Sequence, residues 1–239
     1  MSKIKAVMFE RGQKLFNGAG YSVTRRRDVR RNLLADYSIG LVLDVGANVG
    51  QYGTRLRETG YSAKIVSFEP LSEAYAELQK LAEKDALWEC RNMALGAADG
   101  SAEIHVMNNN ASSSLLPLGA SHQQAYPDLH AVRNETISIK RLDTLAPELM
   151  EARSPVYLKM DVQGYERSVL EGAQESLKGV AAIECELSLA PLYDGQPLFL
   201  EMLNYLDALG FECVSIERGF CDNTTNRTLQ VDGYFVRKA

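Results

Sequence analysis

Leu41-Val42-Leu43-Asp44-Val45-Gly46-Ala47-Asn48-Val49-Gly50 is the stretch from which the fold can be read. Leu41 to Val45 is an apolar run with an acid near its end, the pattern of a buried parallel strand. Glycines and a small residue then break the run into a tight turn, and Gln51-Tyr52-Gly53-Thr54-Arg55-Leu56-Arg57 can continue as a helix. Strand, Gly-rich turn and helix N-terminus together make a nucleotide-type cradle. Glycine lets the backbone approach, and the free N–H groups and the helix dipole face what is bound. The spacing narrows the ligand. Counted from Gly46, the second and third positions of a G-x-G-x-x-G dinucleotide fingerprint fall on Asn48 and Gln51, so that fingerprint fails. The Gly-Lys-Ser/Thr of a phosphate loop is absent as well.

The 239 residues are 46% hydrophobic and 24% charged, which suits one α/β domain with a full core. A net charge of −5 gives no global pull toward nucleic acid or an anionic membrane. No apolar run is long enough to span a bilayer, and the first residues lack the apolar core of a signal peptide. Cys90, Cys185, Cys213 and Cys221 show no C-x-x-C and no metal-ligand spacing, and read as reduced thiols of a cytoplasmic protein.

Residues 1–38 read as a partly helical leader in which Val7, Phe9, Leu15 and Phe16 could cover a sheet edge. Its basic run, Arg25-Arg26-Arg27 with Arg30-Arg31, has no interleaved aromatics and reads as a solvated helix face. The main domain is expected over 39–239. Ile65 to Phe68 is a second strand ending in Glu69-Pro70, and Ser72 is the expected N-cap of a helix over Glu73 to Lys84. Glu69 stands about 19 residues after Gly50, at the tip of the neighbouring strand. There a carboxylate can accept both ribose hydroxyl protons of an adenosine. Leu87 to Arg91 is a third strand. The loop after it offers Asn92 as an amide for the adenine edge, or equally as a turn residue, and Ala94 as room for the ring.

Asp99-Gly100 predicts a hairpin. Ala102 to Val106 and Thr136 to Lys140 read as two arms of an added ribbon, and the polar stretch between them, 108–134, as a substrate lid. Val156 to Met160 is the fourth core strand, with Lys159 and Asp161 near its tip, where open α/β sheets place chemistry. A helix follows over Tyr165 to Leu177, then a strand over Val180 to Leu187, a helix over Leu198 to Leu209, and two closing strands expected to be antiparallel. The pattern predicts a seven-stranded, mostly parallel α/β sheet with helices on both faces and an added β-ribbon and lid.

Asp44-x-Gly46-x-x-x-Gly50 resembles the first motif of class I S-adenosylmethionine-dependent methyltransferases. The ordered set of Asp44 to Gly50, Phe68-Glu69-Pro70, Asn92 to Gly96, Ser112 to Leu115, Leu142 to Leu145, Lys159-Met160-Asp161-Val162-Gln163-Gly164-Tyr165-Glu166 and Gln230 to Val236 resembles the FkbM-type methyltransferases over roughly residues 39–237. That resemblance implies a Rossmann-like fold and O-methylation of sugar hydroxyls, in some members of carboxylates. S-adenosyl-L-methionine is then the donor and S-adenosyl-L-homocysteine the product. It implies cofactor contacts from Asp44, Gly46, Ala47, Asn48, Gly50, Tyr52, Glu69, Pro70, Asn92, Ala94 and Asp161, and acceptor contacts from Ser113, Ser114, Lys159 and Gln163. One departure is visible: the family usually has Glu where this chain has Gln163.

For a hydroxyl acceptor a base is needed within hydrogen-bond reach. Asp161 is the first candidate, with Glu186 and His122 behind it. Asp161, Glu184 and Glu186 could instead gather Mg2+, though their spacing is not diagnostic and the metal-free reading is preferred. Two further readings stand beside this one: a carboxyl methyltransferase, which needs no base, and a cofactor-binding scaffold without turnover. The expected partner is a small-molecule or glycan acceptor, not nucleic acid.

Overall fold

The computed structural model describes residues 28–150, 154–222 and 224–238. The expectations for Val7, Phe9, Leu15, Phe16 and Arg25-Arg26-Arg27 lie outside the described residues. The chain runs through α1 (Val29–Asp36), β1 (Leu41–Val45), α2 (Gln51–Glu58), β2 (Lys64–Phe68), α3 (Ser72–Ala82) and β3 (Trp88–Arg91). It continues through β4 (Ala94–Leu95), β5 (Gly100–Met107), α4 (Ala120–Ala125), β6 (Ala131–Lys140), α5 (Leu142–Leu149), β7 (Val156–Met160) and α6 (Glu166–Glu171). β8 (Val180–Ser188), α7 (Phe199–Ala208), β9 (Phe211–Arg218) and β10 (Gln230–Arg237) complete it.

The main sheet has seven strands in the order β3-β2-β1-β7-β8-β10-β9. The first five are parallel, and β10 runs antiparallel to both of its neighbours. This is the predicted Rossmann-like architecture. Helices cover both faces. Leu142 and Leu149 of α5, Val169 and Leu170 of α6 and Met202 and Leu206 of α7 pack on one side against Leu43, Val66, Leu158 and Ile183. Leu33 and Leu34 of α1, Leu56 of α2 and Leu78 of α3 pack on the other, against Val42, Ile65 and Tyr157.

The two faces differ in polarity. Cys90, Ser67, Asp44, Lys159, Glu184, Tyr234 and Ser215 stand opposite one another in one row across all seven strands. Trp88 Nε1 donates to Ser67 Oγ (3.0 Å), which donates to Asp44 Oδ2 (3.1 Å), and Lys159 Nζ lies 3.0 Å from Asp44 Oδ1. Buried charges persist only when paired: Asp44 and Lys159 pair across β1 and β7, and Glu184 takes its cation, Arg30, from α1.

A smaller sheet, β4-β6-β5, packs Ile104, Val106, Ile137 and Ile139 onto Leu71 and Ala74. Here the structure corrects three expectations. Asp99-Gly100 does not make a hairpin, because β4 and β5 each pair with β6. Asp99 instead accepts the Arg141 N–H (2.7 Å) and the Thr144 hydroxyl. Ser72 is not the N-cap of α3; Leu71 is, and the Ser72 N–H and hydroxyl both donate to Glu135. The helix expected to reach Leu177 ends at Glu171, with a 3-10 turn over Ser176–Gly179. It ends because Asp143 captures the N–H groups of Glu175 and Ser176.

The stretch read as a lid carries its own structure, a 3-10 turn over Asn110–Ser112 and α4. It is fastened to the loop after β8 by Gly119 N–H to Leu192 O (2.8 Å) and Asp194 N–H to Pro117 O (2.9 Å). Among the described residues no helix is long and apolar enough to cross a membrane, and all four cysteines are unpaired.

Candidate active site

The turn after β1 enters a cleft at the carboxyl ends of the parallel strands. Its walls come from the β1 turn (Gly46, Ala47, Asn48), the tip of β2 (Glu69, Pro70, Leu71), Ala94 and Leu95, the lid (Ser113, Ser114, Leu115) and the tip of β7 (Lys159, Asp161, Gln163).

Gly46 adopts φ 77°, in the left-handed region that glycine enters freely. A Cβ there would lie 1.9 Å from the Asp161 carbonyl oxygen. This glycine therefore lets the tips of β1 and β7 touch, and Asp161 N–H closes the contact on Val45 O (3.1 Å). Gly46→Ala is expected to lower the melting temperature by several degrees and to abolish ligand binding in the cleft. Calorimetry with thermal unfolding checks both, and an alanine variant that binds normally would contradict this account of the turn. Gly50 has a different role from the one expected. It is the left-handed N-cap of α2 (φ 89°), packed against Leu78, Leu81 and Trp88, and it does not line the cleft.

Asp44 does not line the cleft either. Its side chain is fully buried and paired with Lys159, so it holds the turn from behind. Lys159 also donates to Gly46 O (3.0 Å) and lies 3.8 Å from Asp161 Oδ2. Burial alone would lower the Lys159 pKa, but the charges of Asp44 and Asp161 outweigh it and hold the ammonium above the usual lysine range.

Glu69 lines the cleft and is almost completely buried. Asn48 N–H donates to its Oε2 (2.8 Å) and Leu71 N–H to its Oε1 (2.9 Å). Burial pushes its pKa up to about 7, against the pull of those two N–H groups and Lys159. Asn92 is corrected: its amide donates to Glu69 O and Pro70 O (both 3.0 Å), so it braces the β2 tip and does not line the cleft. That is the turn role that the sequence left open.

Of the three candidate bases, the structure brings one to the cleft. Asp161 faces it with a side chain 43% exposed. Glu186 stands behind, accepting from Gln163 Nε2 (3.2 Å) and Gln230 Nε2 (2.7 Å). Burial and the nearby Asp161 carboxylate raise its pKa well above the usual carboxylate range. His122 is buried away from the cleft among the rings of Tyr126, Tyr193 and Phe220. Burial lowers its pKa, and it is the one buried residue of α4.

Glu184 does not join Asp161 and Glu186 as a cation site. Its carboxylate is engaged by the Arg30 guanidinium, with Nε–Oε2 at 2.7 Å, by Tyr52 OH (2.7 Å) and by Tyr157 OH (2.9 Å). Among the described residues no three His, Cys, Asp or Glu side chains gather as a metal site. Arg30 is thus no solvated residue. It sits over the Tyr52 ring at 4.7 Å, and its spacing of three and four from Leu33 and Leu34 was the signal that it faces inward. Arg55 lines the cleft beside Gln51 and Tyr52, and nothing in the local pattern singled it out. Glu166 accepts the N–H groups of Val162 (3.1 Å) and Gly164 (3.3 Å), tying the turn between β7 and α6.

The sequence pattern of the methyltransferase FkbM domain matches residues 44–213. The 2-O-methyltransferase NoeI of Sinorhizobium fredii (strain NBRC 101917 / NGR234) is 27% identical over 182 residues, covering 73% of this chain and 73% of that protein. Among solved structures, an rRNA methylase from Streptococcus thermophilus superposes with a TM-score of 0.50 at 13% identity, covering 92% of this chain and 100% of that one. That likeness shows the fold alone. The turn at Gly46 and the helix after it lie within the matched region, which spans well over half of the sequence, and the chain belongs to the FkbM family of methyltransferases.

Proposed function

We propose that the protein is an S-adenosylmethionine-dependent O-methyltransferase acting on a hydroxyl of a sugar, a glycosylated small molecule or a glycolipid. The observation that carries this reading is the placement of Asp161. Its carboxylate lines the cleft together with the Gly46 turn and the lid serines Ser113 and Ser114.

The cleft fits the donor. Each Glu69 oxygen takes one backbone N–H, which leaves each a lone pair for a ribose hydroxyl. Beside it Pro70, Leu71, Ala94, Leu95 and Ile104 form an apolar wall suited to a flat base. Gly46, Ala47 and Asn48 bring the turn's backbone to the same space. S-adenosylmethionine, when bound, supplies an electrophilic methyl group. The chain's own work is positional: the lid and the β7 tip hold the acceptor, and Asp161 takes the hydroxyl proton as the oxygen becomes the nucleophile. Ser113 and Ser114 line the cleft on the lid side, and the Sinorhizobium relative, a 2-O-methyltransferase, supports oxygen as the target.

The test is transfer of a labelled methyl group to three acceptor sets: neutral sugars and glycolipids, uronic acids, and RNA. Label in a methyl ether of the first set is expected. Label as a methyl ester, or in RNA alone, would overturn the reading.

Donor binding should depend on pH through Glu69, whose ionised form accepts the ribose hydroxyls. With its pKa near 7, affinity is expected to be constant in mild alkali and to weaken as pH falls through about 7, by at most ~10-fold per unit. Calorimetric titration from pH 5.5 to 8.5 reads it. A flat profile would remove Glu69 from the binding equilibrium.

A further inference from the structure

Tyr193 lies in the loop after β8, fully buried, and no feature of the sequence marks it. Its hydroxyl stands 2.9 Å from Gln163 Oε1 and 2.9 Å from Ser112 O, so one proton serves two acceptors. The other end of the Gln163 amide donates to two carboxylates at once, to Asp161 Oδ1 at 2.6 Å and to Glu186 Oε2 at 3.2 Å. Gln163 is itself held in a left-handed backbone conformation (φ 55°), and its carbonyl accepts the Ser114 hydroxyl at 2.7 Å. Non-glycine residues enter that region at a cost and remain there when their surroundings over-determine them.

The orientation of the amide follows from these contacts. Turned over, it would set its oxygen 2.6 Å from Asp161 Oδ1 and draw its N–H groups away from both acids. The carboxylates set this orientation, and the Tyr193 hydroxyl holds the oxygen end of the amide that they turn toward it. We propose that Tyr193 is a positioning residue for the methyl-transfer reaction: it aims the Gln163 amide, which holds the Asp161 carboxylate in the cleft at a fixed angle and couples that angle to the lid through Ser112 and Ser114. This rests on the reading of Asp161 as the acceptor's base.

Other charged groups face the same carboxylate. Lys159 reaches it from below, at 3.8 Å. Glu186, Glu166 and Asp232 crowd it from β8, α6 and β10, and their mutual repulsion adds to the burial that raises Glu186. The amide is the group that touches both Asp161 and Glu186. Its N–H groups offset the repulsion between them, as a third carboxylate at position 163 would not. The Gln at this position, where the family usually has Glu, is therefore matched to the pair beside it. The ring of Tyr193 is braced edge-on by His122 at 5.3 Å, which gives the buried histidine a place in the same arrangement.

The test is a double-mutant cycle on the full chain, with kcat, KM for the acceptor and donor affinity measured for Tyr193→Phe, Gln163→Ala and the double variant. Tyr193→Phe keeps the ring and removes only the hydroxyl. Each single variant is expected to lower kcat ~10- to 100-fold with donor affinity unchanged, and the double variant should be no slower than Gln163→Ala alone. Independent, multiplying losses in the double variant would overturn the proposal, as would a Tyr193→Phe variant with full kcat. Gln163→Glu should shift the acidic limb of the kcat profile upward by about one unit or more, and an unmoved limb would also count against it. Asp161→Asn separates the two claims. If that variant keeps its activity, the base assignment fails; if it is inactive and the cycle is additive, the base stands and the positioning role falls.

Discussion

Asp161→Asn is expected to lower kcat by roughly 10²- to 10⁴-fold, the contribution typical of a positioned general base. Donor affinity should stay within about threefold of the parent, because the donor half of the cleft is built by the Gly46 turn and the Glu69 tip. The fold should hold as well. The Asp161 side chain is 43% exposed, its ion pair with Lys159 is long at 3.8 Å, and an asparagine oxygen can still accept from Gln163. Asn keeps the shape and removes the ability to accept a proton, so the loss reads the chemistry itself. Single-turnover methyl transfer at saturating donor measures it. A variant retaining a tenth or more of the parent rate would show that the acceptor is deprotonated elsewhere or arrives ionised, as a carboxylate would.

Lys159→Met carries the largest expected cost to stability. The ammonium and Asp44 are both buried, 3.0 Å apart. Removing one partner of such a pair leaves an uncompensated charge and costs about 3–5 kcal/mol. At roughly 2–4 °C per kcal/mol for a chain of this size, the melting temperature should fall by about 6–20 °C. The sign with pH is fixed by the raised lysine pKa. The pair's contribution is complete at neutral pH and is lost only as pH climbs past the ordinary lysine value into strong alkali. Asp44→Asn combined with Lys159→Met should recover a large part of the loss, since the orphaned charge is then gone and the asparagine oxygen can still accept from Ser67. Thermal unfolding of the three variants decides this. A double variant less stable than Lys159→Met alone would mean that the two charges serve different partners.

The parts of the fold carried by short-range pattern were legible. Apolar runs of strand length, the turn glycines and the acid closing β2 placed the sheet, the cleft and Glu69 from the residues alone. What failed did so where the deciding partner is remote in sequence. Asn92 was ambiguous because its amide answers to backbone carbonyls at the tip of another strand. Arg30 shares a helix face with Leu33 and Leu34, but the acid that it pairs with, Glu184, is 154 residues away. His122 was a candidate because a histidine in a polar stretch says nothing of the aromatic rings that enclose it. Asp44 was assigned to the ligand because motif residues are read as contacts, whereas the structure gives it to Lys159. Tyr193 carried no local signal at all: its hydroxyl meets an amide 30 residues upstream only once the lid and the β8 loop are laid side by side.

The polar row across the sheet bears on how the strands find their alignment. Side chains alternate between faces, so sliding β7 by one residue would carry Lys159 to the apolar side and set Leu158 or Met160 between Asp44 and Glu184. Either slip strands a lysine among Leu43 and Ile183 and leaves the buried Asp44 without its cation. The row thus acts as an index mark: one alignment of β1, β7 and β8 satisfies it, and neighbouring alignments are penalised. Asp161 follows Lys159 by two residues, and Gly46 follows Asp44 by two. The mark that aligns the strands therefore also delivers the carboxylate to the turn, so that the geometry of the cleft is set by the assembly of the sheet.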